Sequence, residues 1–259
     1  MPPPRTILLV TCHPDPRSLN GTLRNHALDV LTRQGHRVEQ SDLYAMQWKA
    51  VVDADDFPAE EHGARLAVGM ASRRATEGGS LTADVLAEQA KLARADAVIF
   101  QIPLWWFGVP AMLKGWFDRV LSNGFAYGLM LPSGRTRRYG EGNLAGKHAL
   151  LAVTTGGMAS HFSERGINGR LEDLLFPVTH GCLFYPGMEV LPLFAAHGCN
   201  RVTDEQFPVI RDAYTARLEN LFTDAPIAFR SQNGGDYEDD LTLKAGLSEG
   251  AKGFALHRS

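Results

Sequence analysis

Apolar residues along this chain fall into two spacings. Residues 6–11 (TILLVT), 97–102 (AVIFQI) and 149–153 (ALLAV) are short, nearly continuous apolar runs, the pattern of strands buried on both faces. Residues 18–34 instead place Leu19, Leu23, Ala27, Val30 and Leu31 on one helical face, with Ser18 positioned as N-cap and Gly35 as the stop. A second strand is expected at 37–42 and irregular chain with short helical pieces to residue 79. A helix over 82–95 then runs into the strand at 97. Pro110 opens a helix carrying Met112, Leu113, Trp116, Phe117 and Val120 at helical spacing. A further helix is expected near 168–176, a strand at 189–192 and a final amphipathic helix from about 203 to 222.

Strands alternating with helices in this way predict an α/β fold, a doubly wound five-stranded parallel sheet of flavodoxin-like order 2-1-3-4-5 with helices on both faces. Residues 1–225 form one domain on this reading. From 226 to 259 the chain turns polar and loses periodicity, so a short irregular extension is expected, packed on a partner subunit or partly without fixed structure.

Composition narrows the chemistry. A 259-residue chain with 44% hydrophobic and 21% charged residues has the balance of a soluble globular protein. Its net charge of −3 gives no reason to expect a nucleic-acid partner, and Arg135, Arg137 and Arg138 read as a solvated loop. Three cysteines (Cys12, Cys182, Cys199) without paired spacing point to neither a disulfide framework nor a metal site. No apolar run is long enough to span a bilayer, and residues 1–10 lack a signal peptide's apolar core, so no stable membrane insertion and a cytoplasmic location are expected.

In an open parallel sheet, ligands lie beyond the carboxyl ends of the strands, and three loops there carry candidate chemistry. After the first strand, His13, Arg17, Ser18, Leu19 and Asn20 bring imidazole, guanidinium, hydroxyl and amide groups to a helix N-terminus, which favours a phosphate. After the third, Pro103 and Leu104 lead into Trp105, Trp106 and Phe107, and three consecutive aromatics cannot all enter one core. After the fourth, Thr154, Thr155, Gly156 and Gly157 leave backbone amides open to a ligand. Neither a GxGxxG fingerprint nor a Walker loop is present. A flat ring on the aromatic loop, with phosphates at residues 18–20, is how a flavin nucleotide would lie.

The passages SDLYAM (41–46), LAEQAKL (86–92), IFQIPLWWFGVPAMLKGWFDRV (99–120), FAY (125–127), TTGG (154–157) and RLENLF (217–222) resemble NAD(P)H:quinone oxidoreductases of the DT-diaphorase type. The likeness covers most of residues 5–229 and is fainter around 240–247. It implies a homodimer that binds FAD (FMN being the less favoured form), with the active site at the subunit interface. NAD(P)H would be the co-substrate, and a quinone-like small molecule the acceptor in a two-electron ping-pong cycle. On matching positions, His13, Ser18, Leu19 and Asn20 would hold the diphosphate and ribityl region. Pro103, Leu104, Trp106, Phe107 and Thr154 to Gly157 would surround the ring, with Trp105 and Phe162 beside it. Tyr127, Leu129 and Tyr185 would line the substrate pocket from the partner. The aromatic segment 116–127 is expected at the dimer interface, as more than one helical face can hide.

The chain departs from the family at its proton relay. A tyrosine and a histidine beyond TTGG are replaced here by Phe162 and Asn168, which supply no acid. His161 is the expected replacement donor, with Asn168 and the Gly156 and Gly157 amides stabilising negative charge. A family arginine near the adenosine end is replaced by Phe207, with Arg201 as a substitute. Two alternatives stand beside quinone reduction. One is a dedicated reductase of a biosynthetic quinone, nitro or azo compound; the other is a non-catalytic flavin-binding regulatory subunit.

Overall fold

The computed structural model describes residues 3–60, 63 and 65–259. Strands β1 (Thr6–Thr11), β2 (Arg37–Asp42), β3 (Ala97–Pro103), β4 (His148–Thr154), β5 (Glu189–Val190) and β6 (Phe194–Ala196) form one parallel sheet. Its order is β2-β1-β3-β4-β5, with β6 also on β4, so the expected 2-1-3-4-5 topology holds with one added strand. The helices are α1 (Leu19–Arg33), α2 (Val68–Gly78), α3 (Ala83–Arg94), α4 (Ala111–Val120), α5 (Leu171–Leu174) and α6 (Phe207–Glu219).

Side chains alternate across the pleat, so each central strand feeds two cores. Leu8, Val10, Val98, Phe100 and Ile102 point to one face, where Val85, Leu92, Leu113 and Trp116 of α3 and α4 cover them. Ile7, Leu9, Ala97 and Ile99 point to the other, covered by Leu23, Ala27, Leu31, Tyr214 and Leu218 of α1 and α6. Parallel strands buried on both faces need apolar residues at every position, which is why their sequences are continuous runs.

Three elements differ from the sequence expectation. The strand expected at 189–192 is split: β5 pairs with β4 at an offset of 41 residues (His148↔Glu189) and β6 at 42 (Ala152↔Phe194). One extra residue is thus accommodated around Pro192, which has no N–H for the ladder. The helix expected near 168–176 is only one turn, Leu171–Leu174, followed by a wide π-helical segment Pro177–Phe184. Pro177 sits in its first turn, where a missing N–H costs nothing. The last helix begins at Phe207, because Thr203 and Gln206 cap each other's amides and hold the preceding residues in a turn.

The expectation that Trp116 and Phe117 belong to a dimer interface is corrected. Both are buried within the single chain, edge-on to each other and to Phe100, and Trp116 Nε1 donates to the buried Glu88 carboxylate at 2.8 Å. The 226–259 extension has its own fixed contacts: Ile227 N donates to Val190 O at 2.7 Å, and Phe229 packs edge-on to Phe176 and His180. No helix among the described residues is long and apolar enough to cross a membrane.

Candidate active site

The three loops singled out from the sequence meet at the carboxyl edge of β1, β3 and β4. Residues 105–108 form a two-residue hairpin turn, with Trp105 and Gly108 exchanging both backbone hydrogen bonds at 3.1 Å. Its central residues, Trp106 and Phe107, have φ of 49° and 59°, the left-handed region that such turns normally fill with Asn and Gly. Bulky residues there cost about 1–2 kcal/mol each. This strained turn presents Trp106 to solvent at 96% exposure, with Phe107 at 52% and Trp105 at 40%. Strain held in order to display aromatic surface marks a binding feature.

The first loop lies against this turn, with the His13 ring 6.0 Å from that of Trp105. Asp15 O and N both meet His13 Nδ1 at 3.1 Å, leaving Nε2 for another partner. Arg17 is not free: Asp15 holds its guanidinium through Nε and Nη2, and in turn the Asp15 carboxyl is lowered to about 2. Ser18 caps α1 as expected, accepting from Gly21 N at 3.2 Å, while the Leu19 and Asn20 amides have no acceptor among the described residues. No acidic residue occupies the first turn. Gly21 was not singled out from the sequence, yet the loop depends on it, since a Cβ there would lie 1.9 Å from Pro16 O.

A buried polar network behind the edge was also missed by sequence reasoning. Asn20 Nδ2 donates to Thr154 Oγ1 at 2.6 Å, Gln101 Nε2 donates to Asn20 O, and Tyr214 Oη donates to Gln101 Oε1 at 2.9 Å. Asn20 Oδ1 is buried without a partner, so one acceptor at the edge is left for a ligand hydroxyl.

The Thr154–Gly157 loop is tied to the residues after β6. Thr155 N donates to Ala196 O at 2.8 Å and Gly198 N to Gly157 O at 2.9 Å. Thr155 Oγ1 donates to Gly157 O at 2.8 Å and meets His197 Nδ1 at 3.0 Å. With that hydroxyl proton committed, His197 Nδ1 is the donor of the pair. Burial lowers the His197 pKa below the usual range. Phe162 stacks on this histidine at 5.6 Å and 29°. A Cβ on Gly157 would lie 2.9 Å from the Phe162 ring and 3.3 Å from His161 Nδ1, so the glycine lets both side chains lie against the loop. Asn168 N donates to His161 O at 3.0 Å, which brings the two expected relay residues together.

Tyr127 and Tyr185 pair at 6.3 Å, and burial raises the Tyr127 hydroxyl above its ordinary pKa. Leu129 is half-buried in the same segment, its carbonyl accepting from Arg137 N at 2.8 Å. Among the described residues there is no cluster suited to a metal ion, and all three cysteines are free thiols.

A family model described as flavodoxin-like fold matches residues 5–221. The ribosyldihydronicotinamide dehydrogenase-like protein traD of Penicillium crustosum is 49% identical over 256 residues, covering 97% of this chain and 94% of that one. Rat NAD(P)H dehydrogenase [quinone] 1 is 35% identical over 244 residues, 94% of this chain and 85% of the rat protein. The chain belongs to the flavodoxin-like quinone reductase family. A solved structure described as a candidate quinone reductase, from Klebsiella pneumoniae, superposes with a TM-score of 0.94 at 48% identity, over 98% of this chain and all (100%) of that one. The protein is thus an oxidoreductase of this quinone reductase family.

Proposed function

We propose that the protein is a flavin-dependent NAD(P)H:quinone oxidoreductase working by two-electron hydride transfer in a ping-pong cycle. The observation that carries this reading is the strained Trp106–Phe107 turn, which displays aromatic surface beside helix amides that have no acceptor among the described residues. The residues fit a flavin nucleotide. The Leu19 and Asn20 amides suit one phosphate, His13 Nε2 suits a second, and the unpartnered Asn20 Oδ1 suits a ribityl hydroxyl. Two separate anion-binding elements favour FAD over FMN.

A bound flavin supplies the hydride-accepting and hydride-releasing chemistry. This chain's part is to hold and tune it. Trp106, Phe107 and Leu104 would hold the ring, while the Gly156 and Gly157 amides would stabilise negative charge on it. His161, lying against Gly157, is the proton donor in place of the absent relay, with Asn168 as a neutral hydrogen-bond donor beside it. The reduced nicotinamide and the quinone would then enter the cleft in turn, each over the ring face that the aromatic turn leaves open.

The same reading makes the active molecule a homodimer. Val68, Met70, Trp106, Phe107 and Met130 are exposed apolar side chains of the kind a subunit interface covers. Tyr127, Leu129 and Tyr185 of one subunit would close the cleft over the turn of the other.

Release of the bound cofactor, followed by chromatography, tests the proposal. The expected result is one FAD per subunit and rapid oxidation of NADH or NADPH only when a quinone is present. Protein that takes up no flavin contradicts the reading, and flavin bound without turnover on any quinone, nitro or azo acceptor would instead favour a regulatory subunit.

A further inference from the structure

A cavity of about 360 Å³ lies between the 226–259 extension and the domain, apart from the strand-end loops. One wall is a continuous column of four rings. Tyr139 stacks on His180 (4.8 Å, 29°), His180 on Phe176 (4.6 Å, 15°) and Phe176 on Phe254 (4.2 Å, 12°). On the tail side, the Tyr237 and His257 rings lie nearly parallel at 18° and share a 3.0 Å hydrogen bond between the hydroxyl and Nδ1. The cavity is of the size that ligand sites occupy, upwards of about 300 Å³, and its walls are mainly aromatic.

Its electrostatics are one-sided. Arg138 and Arg230 line the cavity, and the Arg258 guanidinium sits 5.9 Å over the Phe176 ring. Asp236 pairs with Arg230, but Arg138 has only the neutral Gln232 side chain, with no carboxylate in ion-pair reach among the described residues. Asp239, on the outer side, is taken by Arg135. Arg230 Nε and His180 Nε2 are buried without hydrogen-bond partners. Of the two guanidinium groups that line the cavity, Arg230 is paired with a carboxylate and Arg138 is not, so Arg138 leaves the cavity positive between aromatic walls.

We propose that this cavity is a binding site for a planar aromatic acid, whose ring lies against the stacked column and whose carboxylate is held by Arg138. A neutral arene would leave the Arg138 charge desolvated and unpaired, and a small inorganic anion would leave the apolar wall of ring edges unused. A carboxylate on a planar ring satisfies both, since guanidinium and carboxylate form paired hydrogen bonds. Most of the lining comes from the 226–259 extension, so an occupant joins that extension to the domain.

Calorimetric titration of the purified protein with 1-naphthoate, and with neutral 1-naphthylmethanol as control, tests the proposal. One saturable naphthoate site per subunit is expected. Arg138→Gln should weaken naphthoate by at least about tenfold while changing the alcohol much less, because only the acid uses the guanidinium. Phe254 is 43% exposed, so Phe254→Ala tests the ring column without burdening the core, and should weaken both ligands. Trp106→Ala should leave naphthoate affinity unchanged, which separates this cavity from the strand-end edge. Absence of saturable binding, an unchanged affinity in both Arg138→Gln and Phe254→Ala, equal loss for acid and alcohol in Arg138→Gln, or loss of binding in Trp106→Ala would each overturn it.

Discussion

Asn20 and Thr154, 134 residues apart in sequence, are joined at the sheet edge by a 2.6 Å hydrogen bond from Nδ2 to Oγ1. That bond fixes the start of α1 against the end of β4, the two places where the candidate site offers amides. It also turns Asn20 Oδ1 to a position where no group of the described residues reaches it. Asn20→Leu should cost about 1–3 kcal/mol of stability, because Thr154 Oγ1 is left buried without its donor. Adding Thr154→Val should recover much of that loss, since removing both partners is nearly neutral, but should not restore flavin retention. Urea melts together with flavin titration of the single and double variants would check this; full flavin affinity in the double variant would remove Asn20 from the binding set.

The Trp106–Phe107 turn sets up an opposition between stability and binding. Asn adopts left-handed backbone more readily than Trp, and Trp106 at 96% exposure contributes no core packing. Trp106→Asn should therefore raise the melting temperature of the flavin-free protein by roughly 2–4 °C while weakening flavin retention. A variant that is less stable without flavin would show that the turn is not strained in this way.

Much of this arrangement was legible in the sequence. The apolar runs of β1, β3 and β4 identify strands covered on both faces, and Ile7 and Leu9 against Leu8 and Val10 show how one run serves two cores. The edge loops were visible because strand ends carry ligand chemistry in this topology. What was not legible depends on contacts distant in sequence. Nothing in the local pattern pairs Thr155 with His197, or Gln101 with Asn20 and Tyr214. Trp116 and Phe117 suggested an interface because their spacing exceeds one helical stripe, yet Phe100 on β3 receives both. The 226–259 extension lacks periodicity because stacked rings and ion pairs such as Arg230–Asp236 hold it, and neither needs a regular apolar face.

The altered relay gives a kinetic prediction. Phe162 stacks on His197 and cannot move a proton, which leaves His161, beside Gly157, as the nearest imidazole open to solvent. His161→Ala should slow the reductive half-reaction by at least roughly tenfold. If stopped-flow rates are unchanged in that variant, stabilisation by the amides and Asn168 accounts for the step, and Asn168→Ala should be the slow one.

Acid stability should report on His180. Burial, with His257 and Arg258 nearby, lowers its pKa from 6.5 to about 4. The unfolded chain therefore takes up a proton near 6.5 that the folded chain refuses until about 4. The stability contributed by the neutral ring is fully present above that upper value and is lost as pH falls through the window. His180→Phe keeps a ring in the aromatic column but does not titrate, so its melting temperature should fall less across the same range. Parallel pH profiles for variant and parent would refute this assignment.

The central claim is that the strand-end edge, through Trp106 and its neighbours, holds the flavin that passes electrons from nicotinamide to quinone. The most direct measurement is NAD(P)H oxidation by the flavin-reconstituted protein, with and without a quinone, in parent and Trp106→Ala. The account predicts quinone-dependent oxidation in the parent, with a loss in the variant that rises as flavin is released on dilution. Equal quinone-dependent turnover and equal flavin retention in both proteins would contradict it.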